Sequence, residues 1–164
     1  GLSGSGKSTI ANQVESQLFS LGIRSYILDG DSVRHGLSKD LGFTPEDRAE
    51  NVRRVAEVAN LMVDAGLVVL VCLVSPFRGD RRTARSLFGE ADFLEVFVDT
   101  PLEVCIARDP KGLYAKSAAG NLPNMSGVGQ DYEPPTHPDL RLDGVAPVAD
   151  SVSAVLAKLG LADG

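Results

Sequence analysis

The first eight residues, Gly1-Leu2-Ser3-Gly4-Ser5-Gly6-Lys7-Ser8, satisfy the spacing G-x-x-x-x-G-K-[ST] in full. Glycine at these positions lets backbone N–H groups curl round a phosphate with no Cβ in the way. A helix that starts near Lys7 adds the positive end of its dipole. Lys7 can bridge the β- and γ-phosphates of a nucleotide, and Ser8 can ligate Mg²⁺. The loop therefore predicts a nucleotide site made by Gly1, Ser3, Gly4, Ser5, Gly6, Lys7, Ser8 and Thr9. Such a loop serves GTPases, ATPase motors and small-molecule kinases alike. The chain carries no N-K-x-D guanine motif, which weakens the GTPase reading.

A second cluster could serve an acceptor. Asp29-Gly30-Asp31 follows a short apolar run, so its carboxylates would stand near the phosphate loop. They could hold Mg²⁺ through water, or one could take a proton from a substrate hydroxyl. Asp-Gly is also a common turn, and that reading stays open. Arg48 and Asn51 are three apart and share one helix face near its amino end. Arginine grips phosphate or sulfate through two parallel hydrogen bonds. Arg34 and the group Arg78, Arg81, Arg82 and Arg85 add further forks, although the last three can equally form a solvated helix face. Phe43 can stack on a base or fill core.

Elements must position these groups. Ile10, Val14, Leu18 and Leu21 recur at helical spacing from Ser8 to Leu21, and Gly22 stops that helix. Ile23 to Leu28 reads as a strand. Thr44 to Ala65 is the clearest helix: Thr44 can cap it, Pro45 suits its first position, Asp47 lies in the first turn and Gly66 can end it. Leu67 to Val74 is apolar throughout, as in a parallel strand covered on both faces. A basic helix from Gly79 to Phe88, a strand from Phe93 to Val98 and a helix from Thr100-Pro101 to Arg108 follow. Residues 109–138 show no sustained period beyond a turn or two of helix near Leu113 to Ala119. A loop of that length is usually functional or disordered, so it is expected to be a flexible lid. A strand at Leu140 to Leu142 and a helix marked by Val148, Val152, Val155, Leu156 and Leu159 close the chain.

Alternating strands and helices predict an α/β fold: a P-loop NTPase-type parallel sheet, helices on both faces and a lid, with ligands at the carboxyl ends of the strands. The 164 residues fit a single domain, 1–164. Phosphate loops normally follow a central strand, so one is expected upstream of Gly1. The 22 acidic against 16 basic residues, net −6, argue against a nucleic-acid binder that works by bulk charge. No apolar run reaches the roughly 18 residues a membrane span needs, and no signal peptide is expected. Cys72 and Cys105 make neither a metal spacing nor a disulfide framework, so a cytoplasmic setting is expected.

Taken in order, several segments resemble one family, the adenylyl-sulfate kinases. They are GLSGSGKST at Gly1 to Thr9, DGDSVRHGL at Asp29 to Leu37, LGFTPEDRAENVRRVAEVA at Leu41 to Ala59 and VSPFRGDR at Val74 to Arg81. EVFVDTPLEVC at Glu95 to Cys105, RDPKGLYAK at Arg108 to Lys116 and DYEPPTHPDL at Asp131 to Leu140 complete the set. The resemblance implies MgATP-dependent phosphorylation of the 3′-hydroxyl of adenosine 5′-phosphosulfate. It implies Asp31 as base or metal-water partner. Arg34, Arg48 and Asn51 would hold the acceptor, Phe43 would stack on its adenine, and Val74 and Ser75 would offer main-chain groups. Ser75 is also the family's proposed phosphoserine, although direct in-line transfer is more economical. Lys111 would add charge at the transferring group, and Arg108 and Ala146 would flank the adenine of ATP. Ser8 and Asp29 form the expected metal pair. Met125 stands where the family has a phenylalanine opposite Phe43, and Ser32 where it has asparagine. A homo-oligomer and a fused or associated ATP sulfurylase are expected partners, with no nucleic acid and no membrane. Two alternatives remain at the level of sequence: a P-loop kinase for another small hydroxylated metabolite, and a nucleotide-binding regulatory module of a fused enzyme.

Overall fold

The computed structural model describes residues 1–161. Ile10, Val14 and Leu18 fall four apart, so one face of α1 (Lys7–Ser20) is buried. Gly22, at φ 73°, turns the chain out of that helix, and Ile23 N–H bonds back to Leu18 O. The chain then enters β1 (Ser25–Asp29) and passes directly into a short helix, α2 (Gly30–His35). The sequence reading had only a turn there. The carboxylate of Asp29 accepts the N–H of Asp31 and so caps α2, whose single buried apolar residue, Val33, leaves no period to detect.

The long helix α3 (Pro45–Asp64) starts as expected. Thr44 Oγ1 accepts Asp47 N–H at 3.2 Å, Pro45 opens the helix, and Gly66 at φ 85° leads out of it. The strand β2 (Val68–Cys72) then runs parallel to β1, with Ser25 opposite Val68 and Asp29 opposite Cys72. After α4 (Arg78–Arg85), β3 (Val96–Asp99) and α5 (Leu102–Arg108) comes α6 (Leu113–Ala118), within the expected lid. The last two elements are β4 (Leu140–Asp143), parallel to β3, and α7 (Val148–Lys158).

Helices cover both faces. Ile10, Val14 and Leu18 of α1 pack with Val152 and Val155 of α7 against Val98 and Leu142. On the other face Val55 and Ala59 of α3 meet Leu28 and Val33, while Val52 and Ala56 meet Ala84 of α4. Val68 and Leu70 join the first cluster and Val69 the second, which is the alternation a strand covered on two faces requires. The strands do not form one sheet. They make two parallel pairs, β1–β2 and β3–β4. Between them lies an apolar slot of about 460 Å³ lined by β2 and β3. Val71, expected to be covered, is 44% exposed.

The segment 109–138 is more closely tied than its sequence suggests. Glu133 N–H bonds Pro76 O, and Arg78 donates to Glu133 and to Pro134 O. Arg81, read as a possible solvated cation, pairs with Glu95 at 2.7 Å and donates to Ser75 O and Glu133 O. Arg85 pairs with Asp139. Both arginines therefore fasten this segment and the strand ends to α4.

Candidate functional site

A cavity of about 600 Å³ opens at the carboxyl ends of β1 and β2, where the sheet argument placed it. One wall is the phosphate loop. Gly4 at φ 76° and Gly6 at φ 106° take backbone conformations that side chains disfavour. Ser3, Gly4, Ser5, Gly6, Lys7, Ser8 and Thr9 line the cavity. Gly1 does not. It lies beneath the loop, where a Cβ would come within 2.6 Å of Val98 O, and its carbonyl accepts Lys7 Nζ at 3.0 Å. Gly1 is thus a close-approach position beneath the loop.

Lys7 also donates to Leu2 O at 2.6 Å, so its ammonium rests on the loop's own carbonyls. Burial pulls its pKa down to about 8. A phosphate dianion would reverse that shift and give the ammonium a stronger partner than two neutral carbonyls. Ser8 Oγ donates to Asp29 Oδ1 at 2.6 Å. Among the described residues no group of three or more His, Cys, Asp or Glu could hold a metal by itself. A hydroxyl and one carboxylate beside a phosphate loop fit Mg²⁺, which keeps waters and takes phosphate oxygens to complete its octahedron.

The opposite wall carries the acceptor candidates. Asp31 and Lys111 form an ion pair across the cavity mouth. Arg34 and Arg48 lie over the Phe43 ring, 4.4 and 5.4 Å from its centroid. Phe43 is not core: it is exposed and faces the cavity beside these two cations. Arg34 donates to Gly42 O at 2.7 Å, and Arg48 Nη2 to Asn124 O at 2.9 Å. Neither has a carboxylate within ion-pair distance among the described residues, although Arg48 is only 9% exposed. Burial, aided by the like charge of Arg34, lowers the Arg48 pKa to about 10. Arg48 Nε and Asn51 Oδ1 have no hydrogen-bond partner among the described residues.

Val74, Ser75, Arg108 and Ala146 line the same cavity. Ser75 stands at φ 42°, unusual for a non-glycine residue, with its carbonyl held by Arg81 at 2.6 Å. Arg108 donates to Gly144 O at 2.9 Å. Met125 reaches the cavity from a buried cluster with Cys105 and Tyr114. Asn124, which stands just before it, is at φ 61°, a conformation asparagine tolerates better than most residues.

Sequence reasoning missed three buried groups here. Ser126 lines the cavity with a hydroxyl that has no partner among the described residues. Thr100 and Tyr114 bond carbonyls of the phosphate loop. Tyr114 lies in RDPKGLYAK and Thr100 in EVFVDTPLEVC, but nothing local marks either as part of the site.

Residues 1–143 match the sequence profile of a family described as adenylylsulphate kinase. The adenylyl-sulfate kinase of Erwinia tasmaniensis is 60% identical over 144 residues, which is 88% of this chain and 72% of that protein. The bifunctional enzyme NodQ of Rhizobium tropici is 62% identical over 142 residues, which is 87% of this chain but 22% of NodQ. A solved structure of the Mycobacterium tuberculosis APS kinase CysC, in complex with AMPPNP and APS, superposes with a TM-score of 0.94 at 49% identity. That superposition covers 98% of this chain and 94% of the other.

Proposed function

The chain belongs to the adenylylsulphate kinase family and is an ATP-dependent phosphotransferase, and for its cavity we propose a full division of labour in that reaction. The γ-phosphoryl of ATP passes to the 3′-hydroxyl of adenosine 5′-phosphosulfate, giving 3′-phosphoadenosine 5′-phosphosulfate and ADP. One observation carries this assignment. Arg48 is buried, charged and without a carboxylate partner among the described residues, and it lines the same cavity as the phosphate loop. A buried cation with no anionic partner is costly, and an anionic ligand is the partner that removes the cost.

In this reading the amides of Ser3 to Thr9 hold the phosphates of ATP. Lys7 exchanges the carbonyls of Gly1 and Leu2 for the β- and γ-phosphate oxygens. Ser8 and Asp29 would hold Mg²⁺, which when bound offsets charge on those oxygens. Arg34 and Arg48 bind the phosphosulfate, Asn51 and Phe43 the adenosine, and Met125 closes on the same base. Asp31 accepts the proton of the 3′-hydroxyl, and Lys111 turns from Asp31 toward the transferring group. Arg108 and Ala146 flank the adenine of ATP. Val74 and Ser75 contribute main-chain contacts, and transfer is direct.

The sheet is completed, in the same proposal, by a strand ahead of Gly1 lying in the slot between β2 and β3. A sulfurylase partner, fused as the bifunctional name of NodQ suggests or associated, would supply the acceptor. The test is ADP release with MgATP in the presence and absence of adenosine 5′-phosphosulfate. ADP should appear only with the acceptor, together with the 3′-phosphorylated product. Equal release without it, or turnover of a sugar acid in its place, would refute the assignment.

A further inference from the structure

The phosphate loop has more carbonyls than its own turn can satisfy, and donors from distant parts of the chain take them. Leu2 O accepts Ser5 N–H at 3.2 Å and Gly6 O accepts Ile10 N–H at 3.0 Å, both local bonds. Ser3 O instead accepts the Tyr114 hydroxyl at 3.0 Å, from 111 residues away. Ser5 O accepts the Thr100 hydroxyl at 2.9 Å, from 95 residues away. Both donors are buried, Thr100 at 6% and Tyr114 at 5% exposure. Gly144 leaves the room for one of them: a Cβ there would fall 1.7 Å from Thr100 Oγ1.

A peptide's C=O and N–H point in opposite directions. A donor holding Ser3 O on the outside of the loop therefore aims the Gly4 N–H inward, and one holding Ser5 O does the same for Gly6 N–H. Glycine-flanked peptides flip at low cost because glycine enters either hand of φ. A flipped peptide here would present a carbonyl oxygen to a phosphate. We propose that Thr100 and Tyr114 are positioning residues that lock the Ser3–Gly4 and Ser5–Gly6 peptides with their amides facing the nucleotide phosphates. The Tyr114 bond also ties α6, on the lid segment, to the nucleotide loop. This rests on the phosphate loop binding nucleotide, as proposed above.

The experiment is calorimetric titration of the full chain with ADP and Mg²⁺, alongside steady-state kinetics. Binding by the unaltered protein tests the loop assignment, and the ratio of variant to unaltered protein tests the positioning role. Thr100→Val keeps the shape and deletes the donor, Thr100→Ser keeps the donor, and Tyr114→Phe removes only the hydroxyl. Thr100→Val and Tyr114→Phe should each raise the ADP dissociation constant roughly 3- to 10-fold. The KM for the acceptor should stay within about twofold, and Thr100→Ser should bind ADP as the unaltered protein does. Should Thr100→Val fail to fold, Tyr114→Phe decides alone. Unchanged ADP affinity in the folded variants overturns the proposal. So does a Thr100→Ser variant as weak as Thr100→Val, or an equal loss for both substrates.

Discussion

Replacing Arg48 by methionine separates a binding residue from a strut, because the two roles predict opposite effects on stability. The guanidinium is 9% exposed and faces no carboxylate among the described residues. Its pKa falls to about 10, chiefly through burial and then through repulsion from Arg34. Each unit is ~1.4 kcal/mol, and allowing for solvent screening the charged side chain strains the ligand-free fold by on the order of 2 kcal/mol. Methionine removes that term and fills much of the same volume. It also removes the Arg48–Asn124 hydrogen bond, worth ~1 kcal/mol. The net change should be a gain of roughly 1 kcal/mol, which for a domain of this size raises Tm by about 2–4 °C. Acceptor binding should move the other way. Deleting one partner of a buried charge pair costs ~2–5 kcal/mol, so KM for adenosine 5′-phosphosulfate should rise about 30-fold or more while ADP affinity holds. Differential scanning fluorimetry and initial-rate kinetics on one preparation read both numbers. A Tm lower by about 5 °C or more, with acceptor KM within about threefold, would show Arg48 to be a prop for the Asn124 turn and would refute the reasoning.

Three further outcomes follow from the cavity. Lys7→Met should abolish nearly all turnover, since the ammonium stabilises developing phosphate charge by several kcal/mol, and retained kcat in a coupled ADP assay would contradict that role. Because burial holds the Lys7 pKa near 8 in the ligand-free protein, against 10.5 unfolded, the folded state has fewer bound protons between those values. Stability from this group therefore rises with pH across about 8 to 10.5, and ADP binding at pH 9 should take up close to one proton that is absent at pH 7 and in Lys7→Met, as read by calorimetry in buffers of different ionisation enthalpy. Ser75→Ala should lower kcat only modestly if the phosphoryl passes directly; complete loss, with a phosphoserine isolated from the unaltered enzyme, would support a covalent route instead.

How much of this could be read beforehand depended on how locally each feature is encoded. The phosphate loop and α3 were legible because their signals are contiguous: Thr44, Pro45, Asp47 and Gly66 each act within one turn of the helix they bound. The clustering of Arg34, Phe43, Arg48 and Asn51 was legible through helical spacing and family resemblance. The helix α2 was not, because six residues with one apolar position have no measurable period and Asp29-Gly30 imitates a turn. Arg81 looked like a surface charge because its partners Glu95 and Glu133 lie 14 and 52 residues away. Thr100 and Tyr114 were invisible for the same reason, their bonds spanning 95 and 111 residues. That Gly1 lies beneath the loop was not legible either, because the motif marks which residues form the loop, not which side of it each one faces.

The two halves of the cavity differ in how firmly their charges are fixed. Arg48 is buried, bonded to the Asn124 carbonyl and set on the first turns of a 20-residue helix, so its position exists before any ligand arrives. Arg34 is likewise anchored by Gly42 O. Lys111 and Asp31, by contrast, are about half exposed, and an ion pair in that setting contributes only ~0–1 kcal/mol. In the proposed reaction a triphosphate would offer Lys111 a denser charge than one carboxylate, so the exchange would be favourable and would leave Asp31 with a free lone pair for a hydroxyl proton. A buried Lys111–Asp31 pair would cost several kcal/mol to open and would hold the base out of reach. The same exposure applied to Arg48 would waste the clamp, because solvent would screen it as effectively as the acceptor's anion does. In the proposed reaction the arrangement is thus asymmetric for a physical reason: the group proposed to recognise charge is dry and fixed, and the groups proposed to trade partners during transfer are wet.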